Sequence, residues 1–133
     1  MDGSERTGPM FAIHRFVEGF NHDDVDQAQA ACAGDTSIID DFPPFQWTGD
    51  GAATRWYRDM SGMAAGFGMA DWSVTLEEPR HLIVSDGAAY LVVPVEARWL
   101  ENGTPTSRTG YLTAAVREVA DEWQITAFAW AWN

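Results

Sequence analysis

Residues 14–44 read HRFVEGFNHDDVDQAQAACAGDTSIIDDFPP, and three local patterns that predict the fold meet in this segment. The apolar side chains of residues 9–21 recur at steps of three and four, which is typical of an amphipathic helix. Residues 24–33 fit a second, shorter helix, because an aspartate can cap its start and a glycine follows its end. The β-branched residues 36–40 predict a strand, which ends before a pair of prolines.

The spacing of the apolar residues changes from helical to alternating after residue 71. Residues 51–63 fit a third helix, whereas Asp86–Gly87 and Asn102–Gly103 are hairpin signals between long alternating segments. The chain is therefore predicted to be α+β, with three N-terminal helices packed on a strongly curved, mainly antiparallel sheet that ends in four long strands. Strands of this length must bend, and the concave side that the helices leave unfilled is a candidate pocket.

The composition argues against several classes of function. The 133 residues include 20 acidic and 8 basic side chains, and the net charge of −12 disfavours partners such as nucleic acid or an anionic membrane surface. The sequence has neither an apolar run long enough to span a membrane nor the features of a signal peptide, so a cytoplasmic location is expected. The one cysteine, Cys32, is expected to fill the core. Residues 1–8 are expected to form a disordered tail and residues 9–133 a single domain.

The order of these elements resembles that of the nuclear transport factor 2-like superfamily. The resemblance rests on Asn21–x–x–Asp24 after the first helix, on a strand that ends in Asp40, and on the final EWQITAFAWAW of residues 122–132. Within the superfamily the chain looks like the SnoaL-like branch. The resemblance implies a cone-shaped half-barrel with an apolar pocket, and often a homodimer through the outer face of the sheet. It leaves the activity open, because the superfamily includes isomerases, dehydratases, cyclases, hydrolases and non-catalytic binding or scaffold proteins.

Ketosteroid isomerase, one branch of this superfamily, allows a comparison residue by residue. Aligned without a gap from the first helix, the general-base aspartate of that family falls on Asp40. The tyrosine that donates to the oxyanion falls on Phe16, which has no hydroxyl, and the second donor falls near Thr113. A carboxylate base without such donors loses the electrostatic stabilisation that usually contributes most to this chemistry. Ordinary ketosteroid isomerase activity is therefore not expected.

The candidate catalytic residues are Asp40 and His81. Asp40 and Asp41 are consecutive, so one should face the concave side, where apolar surroundings would raise its pKa. His81 with Asp40 and either Tyr90 or Tyr111 would imitate the pocket residues of scytalone dehydratase-like relatives; the alternative is an ordinary surface histidine. The sequence has no HxxxH, HExxH or CxxC spacing, so neither a metal nor a cofactor is expected.

Seven tryptophans exceed the number that a small core can bury with every indole N–H bonded. Some tryptophans are therefore expected to line a pocket and others an interface on the sheet. For any single tryptophan, the alternative is that its ring fills the core. The predicted ligand-binding residues are Phe16, Phe20, Trp47, Trp56, Met60, Tyr90, Tyr111, Thr113, Phe128 and Trp130. An adaptable lid is predicted near the end of the third helix, where three glycines separate large or flexible side chains. These side chains are Met60, Met63, Phe67 and Met69.

Three functions remain open from the sequence. The first is cofactor-free isomerisation, dehydration or cyclisation of an apolar polyketide- or steroid-like compound, with Asp40 as the base. The second is binding of a small apolar ligand without catalysis, which the missing donors at Phe16 and Thr113 favour. The third is a dimeric interaction scaffold that uses the exposed face of the sheet. Arg98 or Arg108 is a candidate for binding a ligand carboxylate or phosphate, with structural ion pairing as the alternative.

Overall fold

The structure, a computed structural model, describes residues 8–133. The described helices are α1 (Met10–Asn21), α2 (Val25–Ala30) and α3 (Ala52–Gly66). All three confirm predicted helices, and α1 buries the predicted apolar stripe against the sheet. Except for Gly8, the predicted tail lies outside the described residues. Among residues 8–133, no helix combines the length and the apolar composition that a membrane span requires.

Seven strands form one sheet in the described part of the chain. They are β1 (Cys32–Ile39), β2 (Gln46–Thr48), β3 (Met69–Leu76), β4 (His81–Ser85), β5 (Ala88–Glu101), β6 (Thr104–Val119) and β7 (Glu122–Trp132). The order across the sheet is β2-β1-β7-β6-β5-β3, and β4 also pairs with β5. Only β1 and β7 run parallel among the described strand pairs. The predicted α+β class is confirmed, with three helices and a curved, mainly antiparallel sheet.

Several boundaries differ from the sequence prediction, and one predicted strand is divided. Cys32 was expected on the second helix, but it pairs with Ile125 as the first residue of β1, so α2 ends at Ala30. The first of the four long strands is two strands, β3 and β4, which pair with different lengths of β5. Pro79 lies between them and has no N–H to donate, which explains why the pairing is interrupted there.

The core lies between the helices and the inner face of the sheet. On β5, Leu91, Val93 and Val95 are at most 1% exposed, whereas the residues between them are partly exposed on the outer face. Helix α1 packs on this inner face, where the ring centroid of Phe16 lies 4.8 Å from that of Phe128 on β7. Alternation along the strands thus separates a face covered by helices from an outer face that no element of the described chain covers.

The Asn–x–x–Asp pattern has a structural role at the end of α1. Asn21 Nδ2 donates to the carbonyl of Val74 at 2.8 Å, and the N–H of Val74 donates to Asn21 Oδ1 at 2.8 Å. Three residues later, Asp24 caps α2 by accepting from the N–H of Gln27 at 3.1 Å. These bonds fix the end of α1 against β3, the strand that supplies one wall of the cavity described below.

Candidate functional site

A cavity of about 520 Å³ lies between α1, α3 and the inner face of the sheet. Its surface is mainly apolar, and most of the strands contribute to it from their inward-facing positions. Five of the seven tryptophans line it: Trp56, Trp72, Trp99, Trp130 and Trp132. This volume lies within the range of ligand pockets, roughly 300–1,000 Å³, and the lining has their usual apolar and aromatic character.

The indoles of the cavity are arranged in two stacks. Trp130 lies between Trp56 and Trp132, with ring centroids 6.0 Å and 5.5 Å away and interplanar angles of 17° and 5°. Trp72 of β3 and Trp99 of β5 form the second stack, with centroids 4.6 Å apart and an angle of 14°. An aromatic lining of this kind favours contact with a largely apolar ligand.

Asp40 directly follows β1 and is the buried carboxylate of the cavity wall, 7% exposed. Its Oδ2 accepts from Trp56 Nε1 at 2.9 Å, and its Oδ1 accepts from the backbone N–H of Asp41 at 2.8 Å. Burial raises the pKa of Asp40 to about 6, and the charge of Asp41 adds to this. Hydrogen bonds from Trp56, from the Asp41 amide and from Trp132 act in the opposite direction by stabilising the carboxylate.

Asp41 and Arg108 form an ion pair on the exposed side of the cavity. Asp41 Oδ2 lies 3.2 Å from Arg108 Nη1, with the two side chains 50% and 42% exposed. The guanidinium of Arg108 also lies 5.5 Å from the ring centroid of Trp132. Both residues line the cavity, so its exposed edge has a negative and a positive group while its interior is aromatic. The expectation that only one of Asp40 and Asp41 would face the concave side is wrong.

Six of the ten predicted ligand-binding residues and one of the two predicted catalytic residues do not line this cavity. The sequence-predicted residues that line it are Asp40, Phe20, Trp56, Met60 and Trp130. The remaining residues of the predicted lid, Met63, Phe67 and Met69, also line it.

Three predicted residues are buried outside the cavity lining. Phe16 is 1% exposed and packs on Trp56 and Phe128, so it supports the cavity wall from the core. Phe128 is likewise buried, against Phe16, Trp56 and Trp130. Trp47 donates from Nε1 to Asp59 Oδ2 at 2.9 Å and packs on Phe42 instead of facing the cavity. For these three rings, the alternative of core filling is the correct one.

Four further predicted residues, His81, Tyr90, Tyr111 and Thr113, lie on the outer face of the sheet. His81 pairs with Val92, which pairs with Thr113, and Tyr111 pairs with Pro94, all outside the inward stripe of β5. Tyr90 is 46% exposed, and His81 is exposed at the edge of the sheet. The predicted combination of His81 with Asp40 is therefore corrected: strand alternation places them on opposite faces.

Sequence reasoning missed Trp72, Trp99, Trp132 and Arg108 as lining residues. The alternation of inward and outward positions along the strands already indicates the three tryptophans. Trp99 continues the buried stripe of β5, Trp132 continues the face of Trp130, and Trp72 shares a face with Val74. For Arg108, the sequence suggests binding of a ligand anion or, as the alternative, structural ion pairing, and in the structure it pairs with Asp41.

Other groups in the described chain offer no second reactive centre. Within residues 8–133, no group of three or more His, Cys, Asp or Glu side chains is placed to hold a metal ion. Cys32 is buried, and burial raises the pKa of its thiol to about 12, so it stays protonated. A neighbouring pocket of about 410 Å³ shares Phe20, Met60, Met69 and Trp72 with the cavity and includes Tyr57, whose hydroxyl donates to Asp23.

Comparison of the sequence with models of protein families and with curated protein sequences found no match. Solved structures do resemble the chain. A ketosteroid isomerase-like protein from Erwinia carotovora atroseptica SCRI1043 is 16% identical, with a TM-score of 0.75 and 98% of each chain covered. A nuclear transport factor 2-like superfamily protein from Salmonella enterica serovar Typhimurium LT2 is 16% identical, with a TM-score of 0.73, 92% of this chain and 87% of that chain covered.

A third similar structure is a nuclear transport factor 2-like protein of unknown function from Pseudomonas putida KT2440. It is 17% identical, with a TM-score of 0.73, and the match covers 98% of this chain and 88% of that one. At identities this low, the similarity between the structures establishes the fold and not the activity. Together with the three helices, the curved sheet and the cavity on its inner face, they show that the chain has the α+β cone fold of the nuclear transport factor 2-like proteins.

Proposed function

We propose that this protein binds a small, flat, largely apolar molecule in the indole-lined cavity. The size of the cavity and its two indole stacks support this proposal. Polyketide- and steroid-like compounds have the planar, fused-ring shape that such walls accommodate. The exposed edge formed by Asp41 and Arg108 suits a polar substituent at one end of the ligand.

We further propose that Asp40 acts on this ligand as a general base. The observation that carries the proposal is a buried carboxylate in an aromatic cavity whose pKa is raised to about 6. Near neutral pH such a group is ionised and is still a stronger base than an ordinary aspartate. Proton removal from a carbon next to a carbonyl group is the step that isomerisation, dehydration and cyclisation can share. Binding without catalysis remains the alternative.

Binding and proton transfer can be tested separately. Titration with a panel of steroid ketones and anthraquinones should quench the tryptophan fluorescence saturably, because five indoles line the cavity. For a steroid ketone that binds, the wild-type protein in D₂O should accelerate exchange of the hydrogens next to the carbonyl, as followed by NMR. Asp40→Asn should retain binding and lose the exchange. Saturable binding with no acceleration of exchange would instead support a non-catalytic binding protein.

A second proposal concerns the outer face of the sheet, which we propose to be the interface of a homodimer. Ile83 and Tyr90 pair across β4 and β5 and are 61% and 46% exposed. Val92, Pro94 and Tyr111 continue this surface, which we call the outer patch, and none of them is fully buried. Exposed apolar surface of this kind is typical of protein interfaces. An interaction scaffold would use the same surface.

A further inference from the structure

Two indoles of the cavity wall have a buried nitrogen without a partner among residues 8–133. They are Trp130 Nε1 and Trp72 Nε1. Other indoles of the same wall are bonded: Trp56 donates to Asp40 at 2.9 Å, and Trp99 donates to Glu101 at 3.3 Å. Buried donors are normally paired in native proteins, because an unpaired one loses its bond to water without replacement. An indole N–H can only donate, so the missing partner is an acceptor.

Trp130 is the unpaired donor whose ring stacks on the indole that is bonded to Asp40. Its ring stacks on Trp56 with centroids 6.0 Å apart, and the N–H of Trp56 is the one bonded to Asp40. Trp130 is also 6% exposed, so its nitrogen has no access to bulk water. Trp72 belongs to the other stack, on β3, three strands along the sheet from β7.

The two positions at which the resemblance to ketosteroid isomerase places oxyanion donors do not supply a donor to the cavity. Phe16 has no polar atom and is buried in the core, and Thr113 lies on the outer face of the sheet. Asp40 already accepts from Trp56 and from the Asp41 amide, and Trp132 also donates to it, so its two oxygens have partners before a ligand arrives. Of the two unpaired indole donors, Trp130 is thus the one that stacks on the partner of Asp40.

We propose that the indole N–H of Trp130 donates a hydrogen bond to a carbonyl or hydroxyl oxygen of the bound ligand. The cavity then selects an oxygen-bearing flat molecule over a hydrocarbon of the same shape, and it orients that oxygen beside Asp40. This inference rests on the proposed function, since it assumes that the cavity is a ligand site. Access to the nitrogen requires a neighbouring side chain to move, and the flexible side chains of Met60 and Met63 line the same cavity.

A matched pair of probes tests the proposal: 2-acetylnaphthalene, which has an acceptor oxygen, and 2-ethylnaphthalene, which has nearly the same shape and none. The wild-type protein should bind the ketone about fivefold more tightly, the effect of one net hydrogen bond. Trp130→Phe should abolish this preference, because it removes the N–H while both probes lose the same packing. In the control Trp99→Phe, where the N–H is already bonded to Glu101, both probes should weaken alike and the preference should remain.

The indole ¹H–¹⁵N resonances of the wild-type protein provide a second measurement that needs no variant to fold. The Trp130 resonance should move further downfield with the ketone than with the hydrocarbon, because both naphthalene rings add a similar ring-current shift. The resonance of Trp47, which is bonded to Asp59 outside the cavity, should not move. If the ketone binds but the Trp130 resonance moves no further than with the hydrocarbon, and Trp130→Phe keeps the preference, the donor role is wrong and the cavity remains a ligand site. If neither probe binds nor shifts any cavity indole, the proposed function fails, and the inference fails with it.

Discussion

Asp40 is subject to two influences of opposite sign on its pKa. Burial disfavours the charged carboxylate, whereas hydrogen bonds from Trp56 and from the Asp41 amide favour it, and burial is the larger effect. The result is a carboxylate that titrates near pH 6 instead of near 3.8. The folded protein therefore pays a free-energy cost for keeping this group ionised at neutral pH.

The first prediction is that Asp40→Asn changes the pH dependence of stability. Between pH 3.8 and about 6 the folded chain binds a proton at Asp40 that the unfolded chain has released, so raising the pH destabilises the wild-type protein. Relative to Asp40→Asn, the wild-type free energy of unfolding should fall by about 2–3 kcal/mol from pH 4 to pH 7. Urea unfolding of both proteins across this range measures the difference, and a difference independent of pH would contradict the prediction.

The second prediction concerns the indole that holds Asp40. Trp56→Phe removes a hydrogen bond that stabilises the carboxylate, so the pKa of Asp40 should rise by roughly one unit, as expected for a bond to a charged group. The ¹³C shift of the Asp40 carboxyl measured against pH gives this value directly. In the control Trp47→Phe, the lost bond is to Asp59, and the titration of Asp40 should stay where it is. An unchanged pKa in Trp56→Phe would show that the bond from Trp56 does not contribute to it.

At the scale of elements, the corner between α1 and α2 determines how the helices lie over the cavity. Asn21 bonds both backbone groups of Val74 on β3, and Asp24 caps α2. Gly19 allows α2 to approach: a Cβ at this position would lie 2.7 Å from the backbone nitrogen of Ala28 and 2.8 Å from the carbonyl of Asp24. Because both neighbours are backbone atoms, a side chain here would push the two helices apart.

The third prediction follows from that close approach. Gly19→Ala should lower the free energy of unfolding by about 1–2 kcal/mol, since the overlap outweighs the better helix propensity of alanine. Gly62→Ala is the matched control, because Gly62 lies in an exposed part of α3 and a Cβ there meets nothing within 4 Å. That variant should be more stable by roughly 0.5–1 kcal/mol. Equal effects in the two denaturation curves would show that α1 and α2 tolerate a wider separation.

At the scale of the whole molecule, the two faces of the sheet differ in what covers them. The inner face forms the core and the cavity, while the outer patch leaves apolar side chains on the surface of the described chain. Both faces are apolar in part, so each is expected to be covered, the inner one by the helices and the outer one by a second copy. Symmetric dimers in which the same surface of each copy meets are the commonest oligomers.

The fourth prediction tests this dimer. Ile83→Lys places a charge in the outer patch, where Ile83 is 61% exposed, and burying that charge in an interface is unfavourable. Sedimentation should show a dimer for the wild-type protein and a monomer for this variant. Ala65→Lys adds the same charge on the exposed side of α3 and should remain dimeric. If the wild-type protein is monomeric at high concentration, the outer patch is not a self-association site.

The sequence by itself determined the fold class and most of the elements. Local spacing is enough to distinguish helix from strand, hairpin signals mark the turns, and Asp40 at the end of β1 and Trp130 on β7 were identified before any contact was known. These features depend on neighbouring residues in the chain, which the sequence shows directly. Pro79 also indicates the division of the first long strand into β3 and β4, because proline has no N–H to donate to a neighbouring strand.

Only the tertiary structure decided which face of the sheet lines the cavity. Alternation shows that two faces differ, but when both are partly apolar it does not say which one the helices cover. His81, Tyr90, Tyr111 and Thr113 were therefore assigned to the wrong face, and Trp72 and Trp99 were left out. The pKa of Asp40, its bond to Trp56 and the unpaired N–H of Trp130 depend on burial and on partners distant in the chain. Such properties arise when the helices close over the sheet, which no local pattern encodes.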